Sequence, residues 1–447
     1  MTPAPLSGWG RYPVARCAVF RPERRSAVAE TLAAKAAPSF IARGLGRSYG
    51  DAALNAGGGV VVHDRLDRMR AFDAARGVLD CEAGTSFADI IATWLPRGWF
   101  PAVTPGTKFV TVGGAIAADV HGKNHHRDGT FSAFVEDLTL LTADGDLVRC
   151  SRHERPEVFW ATVGGLGLTG MILDARVRLQ PVSSAWLRVD YRRARDLDDT
   201  LAAFASSDAV SPYSVAWIDC LARGRLMGRA VIMHGDHASA ADAAGRVPFD
   251  VPRRAGLTVP LDVPGAFLNP LTMRLFNAAY YAAHRDQRRR LVDFERFFYP
   301  LDGVARWNRL YGRRGFTQYQ VALPPEAGER GLVRLLERLS GSGRPSFLAV
   351  LKRLGPAGPG MLSFPREGYT LALDIPVRDG VVEFLGELDR LVLASGGRVY
   401  LAKDATTTAP AVRAMYPRLD EFRAVKAQLD PRGVLSSSLA RRVGLVP

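Results

Sequence analysis

The residues with the greatest chemical potential lie in one short segment, HGKNHH, at residues 121–126. Three of the eight histidines of the chain fall within these six positions, beside a lysine and an amide. The segment follows residues 113–118, which are all small apart from Ile116 and therefore let a flat ligand approach the backbone closely. This arrangement favours a redox cofactor held over the small residues and surrounded by polar groups.

Two other interpretations of the histidine segment stay open. His121 and His125 are spaced i, i+4, as metal ligands on a helix would be, but Gly122 disfavours a helix and no carboxylate stands at the general-base position of a zinc protease. A solvated polar loop is the second alternative. We therefore expect no metal site in this segment.

Two further glycine clusters flank this segment along the chain. ARGLGRSYGD, at residues 42–51, follows an apolar strand-like pair and can turn backbone N–H groups toward an anion such as a pyrophosphate. Its spacing is not GxGxxG at the start of a long helix, so the nicotinamide fingerprint is absent. VGGLGLTGMI, at residues 163–172, abuts another apolar run. Each cluster alone is typical of a tight turn, but three together favour a long cofactor held along its length.

A fourth block, YLAKD at residues 400–404, places Lys403 at the end of an expected strand. Lysine is rare in this chain, which has six lysines among 59 basic residues. A lysine at the end of a strand can face a pocket, although an ordinary surface lysine is the alternative. The block is therefore a candidate site.

Composition limits the class of protein. The 447 residues exceed what one hydrophobic core supports, so we expect two or three domains. The formal charge of +14 fits an anionic membrane, a phosphate-bearing substrate or nucleic acid, or a plain compositional bias toward arginine. No zinc-finger, helix-turn-helix or basic–aromatic pattern is present, and we expect no nucleic-acid partner. The four cysteines are scattered, as in a protein of the reducing cytosol.

Targeting signals are also sparse. The N-terminus lacks the pattern of a signal peptide, and the longest uncharged run, residues 158–173, is shorter than the roughly 20 residues that span a bilayer. We expect a cytoplasmic protein. Residues 257–290 run from apolar and proline-rich to an arginine cluster, which suits peripheral contact with an anionic membrane face. A flexible loop with solvated charges is the alternative.

Hydrophobic periodicity predicts intermixed strands and helices. The expected helices cover residues 83–94, with Ser86 as N-cap, 325–340 and 381–394, followed by two short helices near the C-terminus. The expected strands cover residues 59–63, 136–142, 214–218, 316–322, 369–375 and 399–401. This mixture predicts an α+β protein.

Together these blocks resemble the PCMH-type FAD-binding oxidases of the vanillyl-alcohol-oxidase superfamily, and within it the decaprenylphosphoryl-β-D-ribose 2′-oxidase family. The resemblance is carried by GLGRSYGDAALNAGGG, TPGTKFVTVGGAIAADVHGKNHH, LLTADG, FWATVGGLGLTG, FTQYQVALP and YLAKDATTTAPAVRAMYPRLDEF, and it extends over nearly the whole chain. It implies a split FAD-binding domain, residues 1–180 completed by 398–447. The substrate domain between them, residues 181–397, would be α+β, with an antiparallel sheet covered by helices.

The resemblance also implies a set of site residues. FAD would be bound without a covalent link, because Arg47 stands where many relatives carry the histidine that is joined to the flavin. The expected FAD-lining residues are Arg43, Gly44, Leu45, Gly46, Arg47, Ser48, Tyr49, Pro105, Gly106, Thr107, Thr111, Gly113, Gly114, Ala117, His121, Gly122, Asn124, His125, Ile172 and Tyr400. The expected substrate contacts are Tyr49, Lys123, Trp217, Gln318, Gln320, Lys352 and Lys403. Lys403 and His121 are expected to lie nearest the redox event.

The implied activity is oxidation of the 2′-hydroxyl of a polyprenyl-phosphoryl pentose to the 2′-keto sugar. This is the oxidative half of an epimerisation that supplies a cell-wall polysaccharide precursor, and a separate NAD(P)H-dependent reductase would complete it. The residue chemistry agrees with this expectation. Gln318 and Gln320 alternate on a strand, so both can hold sugar hydroxyls, while three lysines suit a phosphate and a reduced flavin.

Some substrate-side residues depart from the family pattern. Tyr369, Thr370 and Ala372 stand where well-known members have a tryptophan–asparagine pair and a cysteine, and Phe298-Tyr299 replaces the usual tyrosine–histidine. The alternative is therefore an oxidase of a soluble sugar, alditol or aldonolactone that passes electrons to oxygen. The third interpretation is a basic binding protein that has lost oxidase chemistry.

Overall fold

The computed structural model describes residues 3–243, 245–251, 256–344, 346 and 348–446. The first part of the chain forms two sheets with short helices between their strands. Its elements in chain order are β1 (Ala4–Ser7), β2 (Val14–Phe20), α1 (Arg25–Ala33), β3 (Phe40–Arg43), β4 (Gly59–Val62), β5 (Met69–Asp73), β6 (Val78–Glu82), α2 (Phe87–Trp94), β7 (Trp99–Pro101), α3 (Val112–Ala117), α4 (His125–Asp128), β8 (Val135–Leu141), β9 (Leu147–Ser151), α5 (Pro156–Thr162) and β10 (Met171–Pro181).

The two sheets of this part differ in strand direction. The first has the order β1-β2-β4-β3, and β4 pairs in parallel with both neighbours. Every residue of β4 is buried, as expected for a strand that lies between neighbours and is covered on both faces. The second has the order β5-β6-β10-β8-β9, with β7 also pairing to β10, and it is antiparallel throughout.

The middle of the chain forms most of one large antiparallel sheet, a separate parallel pair of two short strands, and helices. Its elements are β11 (Trp186–Ala194), α6 (Leu197–Ser207), β12 (Tyr213–Ile218), β13 (Ala230–His237), β14 (Leu257–Thr258), α7 (Pro270–Ala283), β15 (Gln287–Asp293), α8 (Phe294–Phe298), β16 (Val304–Ala305), β17 (Phe316–Leu323), α9 (Pro325–Gly341), β18 (Ala349–Leu354), β19 (Gly368–Pro376) and α10 (Val381–Ala394). In α9, Leu332, Leu335, Leu336 and Leu339 recur at helical spacing and are all buried. This apolar face explains why α9 covers the sheet.

The last elements are β20 (Arg398–Val399), α11 (Ala409–Met415), α12 (Leu419–Leu429) and α13 (Ser438–Arg442). The eight strands of the large sheet lie in the order β15-β11-β13-β12-β18-β19-β17-β20, so the chain leaves this sheet at its edge. It then returns to the first sheet, where Phe40 bridges Leu435 and the Ser438 N–H donates to the Leu54 carbonyl. The predicted domain limits at 180/181 and 397/398 stay a prediction.

Most elements predicted from periodicity are present. They include β4, β8, β12, β17, β19, α9, α10 and α2, and the side chain of Ser86 caps α2 by accepting from the Asp89 N–H. The strand predicted at 399–401 is wrong in its extent, because the N–H groups of Lys403 and Asp404 turn back to the carbonyl of Tyr400. Three helices follow it, not two, because α12 ends at Leu429 and the side chain of Ser437 caps a further helix. Among the described residues, no helix combines the length and the apolar character needed to cross a bilayer.

A buried ionic bridge joins the C-terminal helix to the first glycine loop and to the lysine turn. The guanidinium of Arg442 lies 2.7 Å from the carboxylate of Asp51 and 2.8 Å from that of Asp404. The side chains of the two acids are only 6% and 5% exposed. The backbones also meet here, because a Cβ at Gly50 would lie 1.7 Å from the carbonyl oxygen of Asp404. Arg442 therefore neutralises two acids that have little access to water.

We predict that Arg442→Met destabilises the protein by about 3 kcal/mol, because it leaves two buried carboxylates without a counter-charge. Thermal and urea unfolding of the variant measure this loss. Arg432→Met is the matched control, since Arg432 pairs with Asp144 where both side chains are about half exposed, and we expect a change below about 1 kcal/mol. Equal losses in the two variants would contradict the assignment.

Candidate active site

A cavity of about 620 Å³ lies between the glycine loops and the large sheet. One wall comes from the first glycine loop, from α3 and from the segment before β10. The opposite wall comes from inward-facing residues of β12, β17, β18 and β19, and the turn after β20 closes one end. The cavity therefore brings together all four blocks that the sequence singled out.

The glycines of the first wall allow close packing at two points. Arg43, at the end of β3, donates to the carbonyls of Ser7 and Ala53 at 2.7 and 3.2 Å. Gly46 has a φ of +67°, and a Cβ there would lie 2.3 Å from the guanidinium of Arg43. Only glycine fits this conformation and this contact easily, so the loop presents backbone to the cavity.

The run of small residues at 113–118 lies mostly in a short helix, α3. Thr111 caps it by accepting from the Gly114 N–H at 3.1 Å. A Cβ at Gly44 would lie 2.3 Å from the hydroxyl of Thr111, so the first loop and this helix pack tightly. The small residues thus serve helix packing as well as access to the cavity.

Three buried polar atoms of the wall have no hydrogen-bond partner within the described part of the chain: His63 Nε2, His121 Nδ1 and Gln320 Oε1. Buried polar groups in native proteins are nearly always satisfied, so such atoms indicate a polar ligand. Gly106 adds open space on the same wall, since nothing lies within 4 Å of a Cβ placed there. The lining therefore fits a large, polar, partly flat group such as FAD.

Three of the six lysines converge on the cavity. Lys352 Nζ lies 3.5 Å from the Gly122 carbonyl, Lys123 donates to the Phe298 carbonyl at 3.3 Å, and Lys403 donates to Oε1 of Gln318. Burial lowers the pKa of Lys352 to about 8. Burial and the charge of Lys352 lower the pKa of Lys123 to about 7, and they lower that of Lys403 to about 7 as well, where Asp374 opposes the change.

The hydrogen bonds around His121 indicate which of its ring nitrogens carries the proton. Gln320 Nε2 lies 3.1 Å from His121 Nε2 and donates to the hydroxyl of Thr370 at 3.0 Å. With the amide in this orientation His121 Nε2 is the acceptor, so the neutral ring carries its proton on Nδ1. Burial, followed by the charges of Lys352, His125 and Lys403, holds the pKa of His121 well below its usual value. In this tautomer the neutral ring of His121 has an N–H at Nδ1 without an acceptor among the described residues.

Most of the predicted site residues line this cavity. They are Arg43, Gly44, Leu45, Gly46, Arg47, Ser48, Tyr49, Pro105, Gly106, Thr107, Thr111, Gly113, Gly114, Ala117, His121, Gly122, Lys123, Ile172, Trp217, Gln318, Gln320, Lys352, Tyr400 and Lys403.

Asn124 and His125 are not among the residues that line the cavity, and their predicted contact with FAD stays a prediction. The amide of Asn124 donates to the Ala102 carbonyl at 2.8 Å and to the carboxylate of Asp128 at 2.7 Å. His125 Nδ1 accepts from the Gly355 N–H at 3.1 Å. These bonds fasten the histidine segment to its surroundings.

Sequence reasoning missed two groups of lining residues. Arg47 lies 4.0 Å over the ring of Trp9, and Asp302, which accepts from the Lys108 N–H, lies near the same guanidinium. The cavity is also lined by an aromatic group: Tyr191, Trp217, Phe276, Tyr280 and His284, of which only Trp217 was predicted. The ring of Tyr280 is tilted against those of Trp217 and His284, with centroids 4.6 and 4.2 Å apart. Phe276, Tyr280 and His284 recur every four residues along α7 and its C-cap, a helical spacing that could have indicated a shared face, whereas Tyr191 and Trp217 come from β11 and β12 and no local pattern links them to it.

Comparison with known proteins decides the family. The decaprenylphosphoryl-β-D-ribose oxidase of Mycolicibacterium smegmatis is 39% identical over 455 residues, covering 99% of this chain and 97% of that protein. The chain belongs to the decaprenylphosphoryl-β-D-ribose oxidase family. An uncharacterized protein of Streptomyces coelicolor is 39% identical over 78% of this chain and 97% of its own length. Cytokinin dehydrogenase 6 of Oryza sativa subsp. japonica is 34% identical over 39% of this chain and 36% of its own length.

Two family models match parts of the chain. A model described as an FAD binding domain matches residues 17–151, and one described as D-arabinono-1,4-lactone oxidase matches residues 374–443. This member of the decaprenylphosphoryl-β-D-ribose oxidase family is therefore an FAD-dependent oxidoreductase with a PCMH-type fold. The predicted fold class and cofactor are confirmed.

We predict that Lys352→Met stabilises the protein at pH 7. The folded-state pKa of Lys352, about 8, is below the value of about 10.4 in the unfolded chain. Between these two pH values the unfolded state therefore binds more protons than the folded state. Burial of the charged lysine lowers the free energy of unfolding by its full amount below pH 8, and this loss shrinks as the pH rises to about 10.4. Thermal unfolding at several pH values measures the difference between the variant and the unsubstituted protein.

The gain from Lys352→Met should diminish from pH 8 to pH 10, and Lys35→Met at an exposed position is the control that should show no such trend. A gain that stays constant over this range would mean that the apolar side chain, and not the lost charge, stabilises the variant.

Proposed function

We propose that this flavoenzyme oxidises the 2′-hydroxyl of a polyprenyl-phosphoryl pentose to the 2′-keto sugar. One observation carries the proposal: a cluster of three lysines and an aromatic group line a single cavity. The lysines suit a phosphate, and the aromatic rings suit the start of a prenyl chain. The name of the Mycolicibacterium smegmatis relative supports the same substrate class. A separate NAD(P)H-dependent reductase would then complete the epimerisation.

The two walls have separate roles in this proposal. The glycine loops and α3 hold FAD without a covalent link, with Arg47 placed over Trp9 at the position where a histidine would be joined to the flavin. When bound, FAD supplies a hydride acceptor for the C–H bond of the alcohol carbon. His121 donates toward the bound group through Nδ1, and Tyr400 supports the wall by donating to the Ala118 carbonyl at 2.7 Å.

The lysines and glutamines handle the substrate. Gln318 and Gln320 project from β17 into the cavity, where their amides can bind sugar hydroxyls. Lys123 and Lys352 bind the phosphate. Lys403 has a pKa of about 7, so a large fraction of its amine is neutral at physiological pH and can accept the proton that leaves the hydroxyl.

Oxidation of a soluble sugar or aldonolactone, with oxygen as acceptor, is the second candidate. It is favoured by the match of residues 374–443 to the D-arabinono-1,4-lactone oxidase model. Two of the residues that differ from the family pattern also concern this candidate. Ala372 lines the cavity, and the hydroxyl of Thr370 accepts a hydrogen bond from Gln320. These positions alter the sugar end of the cavity and leave the lysines and the aromatic group in place.

We propose that the surface around α7 makes peripheral contact with an anionic membrane. Six large apolar side chains between residues 257 and 276 are exposed: Leu257, Leu261, Phe267, Leu271, Leu275 and Phe276. Arg288, Arg289 and Arg290 lie exposed on β15, an edge strand of the large sheet. The other side of α7 contributes Tyr280 to the cavity, so a lipid-linked sugar could enter directly from the bilayer. The cytoplasmic location stays a prediction.

Anaerobic mixing of the yellow protein with a short-chain polyprenyl-phosphoryl ribose tests the proposed substrate. We expect the flavin absorbance to bleach, and we expect free ribose to leave it unchanged because the phosphate and the prenyl chain are missing. Bleaching by a soluble alditol or lactone but not by the lipid-linked sugar would favour the second candidate. A purified protein without flavin would contradict both.

Co-sedimentation with vesicles tests the membrane contact. The unsubstituted protein should bind vesicles that contain phosphatidylserine, and binding should weaken at high salt. Replacing Leu271 and Leu275 by Asp should lower the affinity at least about tenfold, since both side chains would otherwise enter the interface. Leu226→Asp, at another exposed leucine, is the matched control and should bind normally. Equal binding by all three proteins would contradict the assignment of this surface.

A further inference from the structure

Asp374 is a buried carboxylate immediately behind the cavity wall. It lies on β19 and has no solvent exposure. Its Oδ1 accepts from Gln318 Nε2 at 2.6 Å, and its Oδ2 accepts from the hydroxyl of Tyr311 at 3.2 Å. Burying a carboxylate is costly unless it is hydrogen-bonded and its charge is balanced. This position in the core therefore calls for a role beyond packing.

Gln318 connects this carboxylate to the cavity. Its amide nitrogen donates to Asp374, and an ionised carboxylate only accepts hydrogen bonds, so the amide cannot turn over without losing that bond. Its amide oxygen consequently faces Lys403, whose Nζ donates to it. The chain Asp374–Gln318–Lys403 thus has one internally consistent direction of hydrogen bonding.

We propose that Asp374 is a positioning residue for Lys403 and acts through Gln318. The carboxylate fixes the orientation of the amide, the amide oxygen fixes the ammonium group at the cavity wall, and the negative charge keeps part of the lysine population protonated. This proposal rests on the proposed function only for the role of Lys403 in turnover. The hydrogen-bond chain itself requires no substrate.

The electrostatic surroundings agree with this role. Lys403 faces Lys352 of β18, the rings of Tyr49 and Tyr400 at 5.4 and 5.9 Å from Nζ, and His121 across the cavity. Lys352 lowers the pKa of Lys403, and Asp374 is the group that raises it. Asp374 faces Gln318, Lys403 and Tyr311, and burial raises its pKa to about 6 despite the stabilising effect of all three. The two groups therefore titrate close together, near neutral pH.

A titration of the lysine side chains in the FAD-loaded protein tests the proposal without substrate. Lysines labelled with ¹³C at Cε give at most six signals in this chain, and Lys403→Arg assigns the signal of Lys403. In Asp374→Asn, which keeps the size of the side chain and removes the charge, we expect the pKa of Lys403 to fall by about one unit. Tyr311→Phe is the matched control, since it removes the other partner of the carboxylate and keeps both the charge and Gln318; we expect Lys403 to titrate near its original value.

Gln318→Leu is the second variant, because it cuts the connection at the cavity wall and leaves the core carboxylate in place. The pKa of Lys403 should fall here as well, owing to the lost acceptor. An unchanged titration of Lys403 in the folded Asp374→Asn protein, or in Gln318→Leu if the first variant does not fold, would overturn the proposal. Failure of the lipid-linked sugar to bleach the flavin would count against the proposed function alone, since the titration needs no substrate.

Discussion

The architecture depends on the contact between the first glycine loop and the turn that carries Lys403. Gly50 and Asp404 meet at a distance that excludes any side chain, and Arg442 neutralises the acids on both sides of the contact. Three parts of the chain that are far apart in sequence are joined at this point. Without the contact, the end of the cavity that holds Lys403 would not be closed by the C-terminal segment, and the two walls would lack a common anchor.

Electrostatics is the second constraint on the site. Three lysines share one cavity of low polarity, and burial together with the charge of Lys352 brings the pKa values of Lys123 and Lys403 to about 7. Such a cluster is unfavourable for folding, as is usual where a protein prepares a site for an anion. A phosphate-bearing substrate would relieve the repulsion. The carboxylate of Asp374 offsets part of it from behind the wall.

The lining of the cavity combines charged, polar and aromatic side chains. It includes lysines and glutamines, and α7 contributes Phe276 and Tyr280. The outer side of α7 carries exposed leucines, and the neighbouring edge strand carries arginines. The lysines of this lining suit the phosphate of the proposed lipid-linked substrate, and its aromatic rings suit the prenyl chain. A soluble sugar would leave the aromatic residues without an occupant.

The sequence by itself determined the features that depend on local spacing. The glycine clusters and the HGKNHH segment predicted a wall for FAD, and residues of each line the cavity. The periodicity of residues 316–322 and 381–394 predicted β17 and α10, because amphipathic patterns are set by near neighbours. Tertiary structure alone decided that Asn124 and His125 are outside the cavity lining, that the chain turns back at Tyr400 directly after β20, and that Asp374 and Arg442 make their buried polar contacts. Those outcomes depend on contacts between distant segments and on the low polarity of the packed interior, and no local pattern encodes either one.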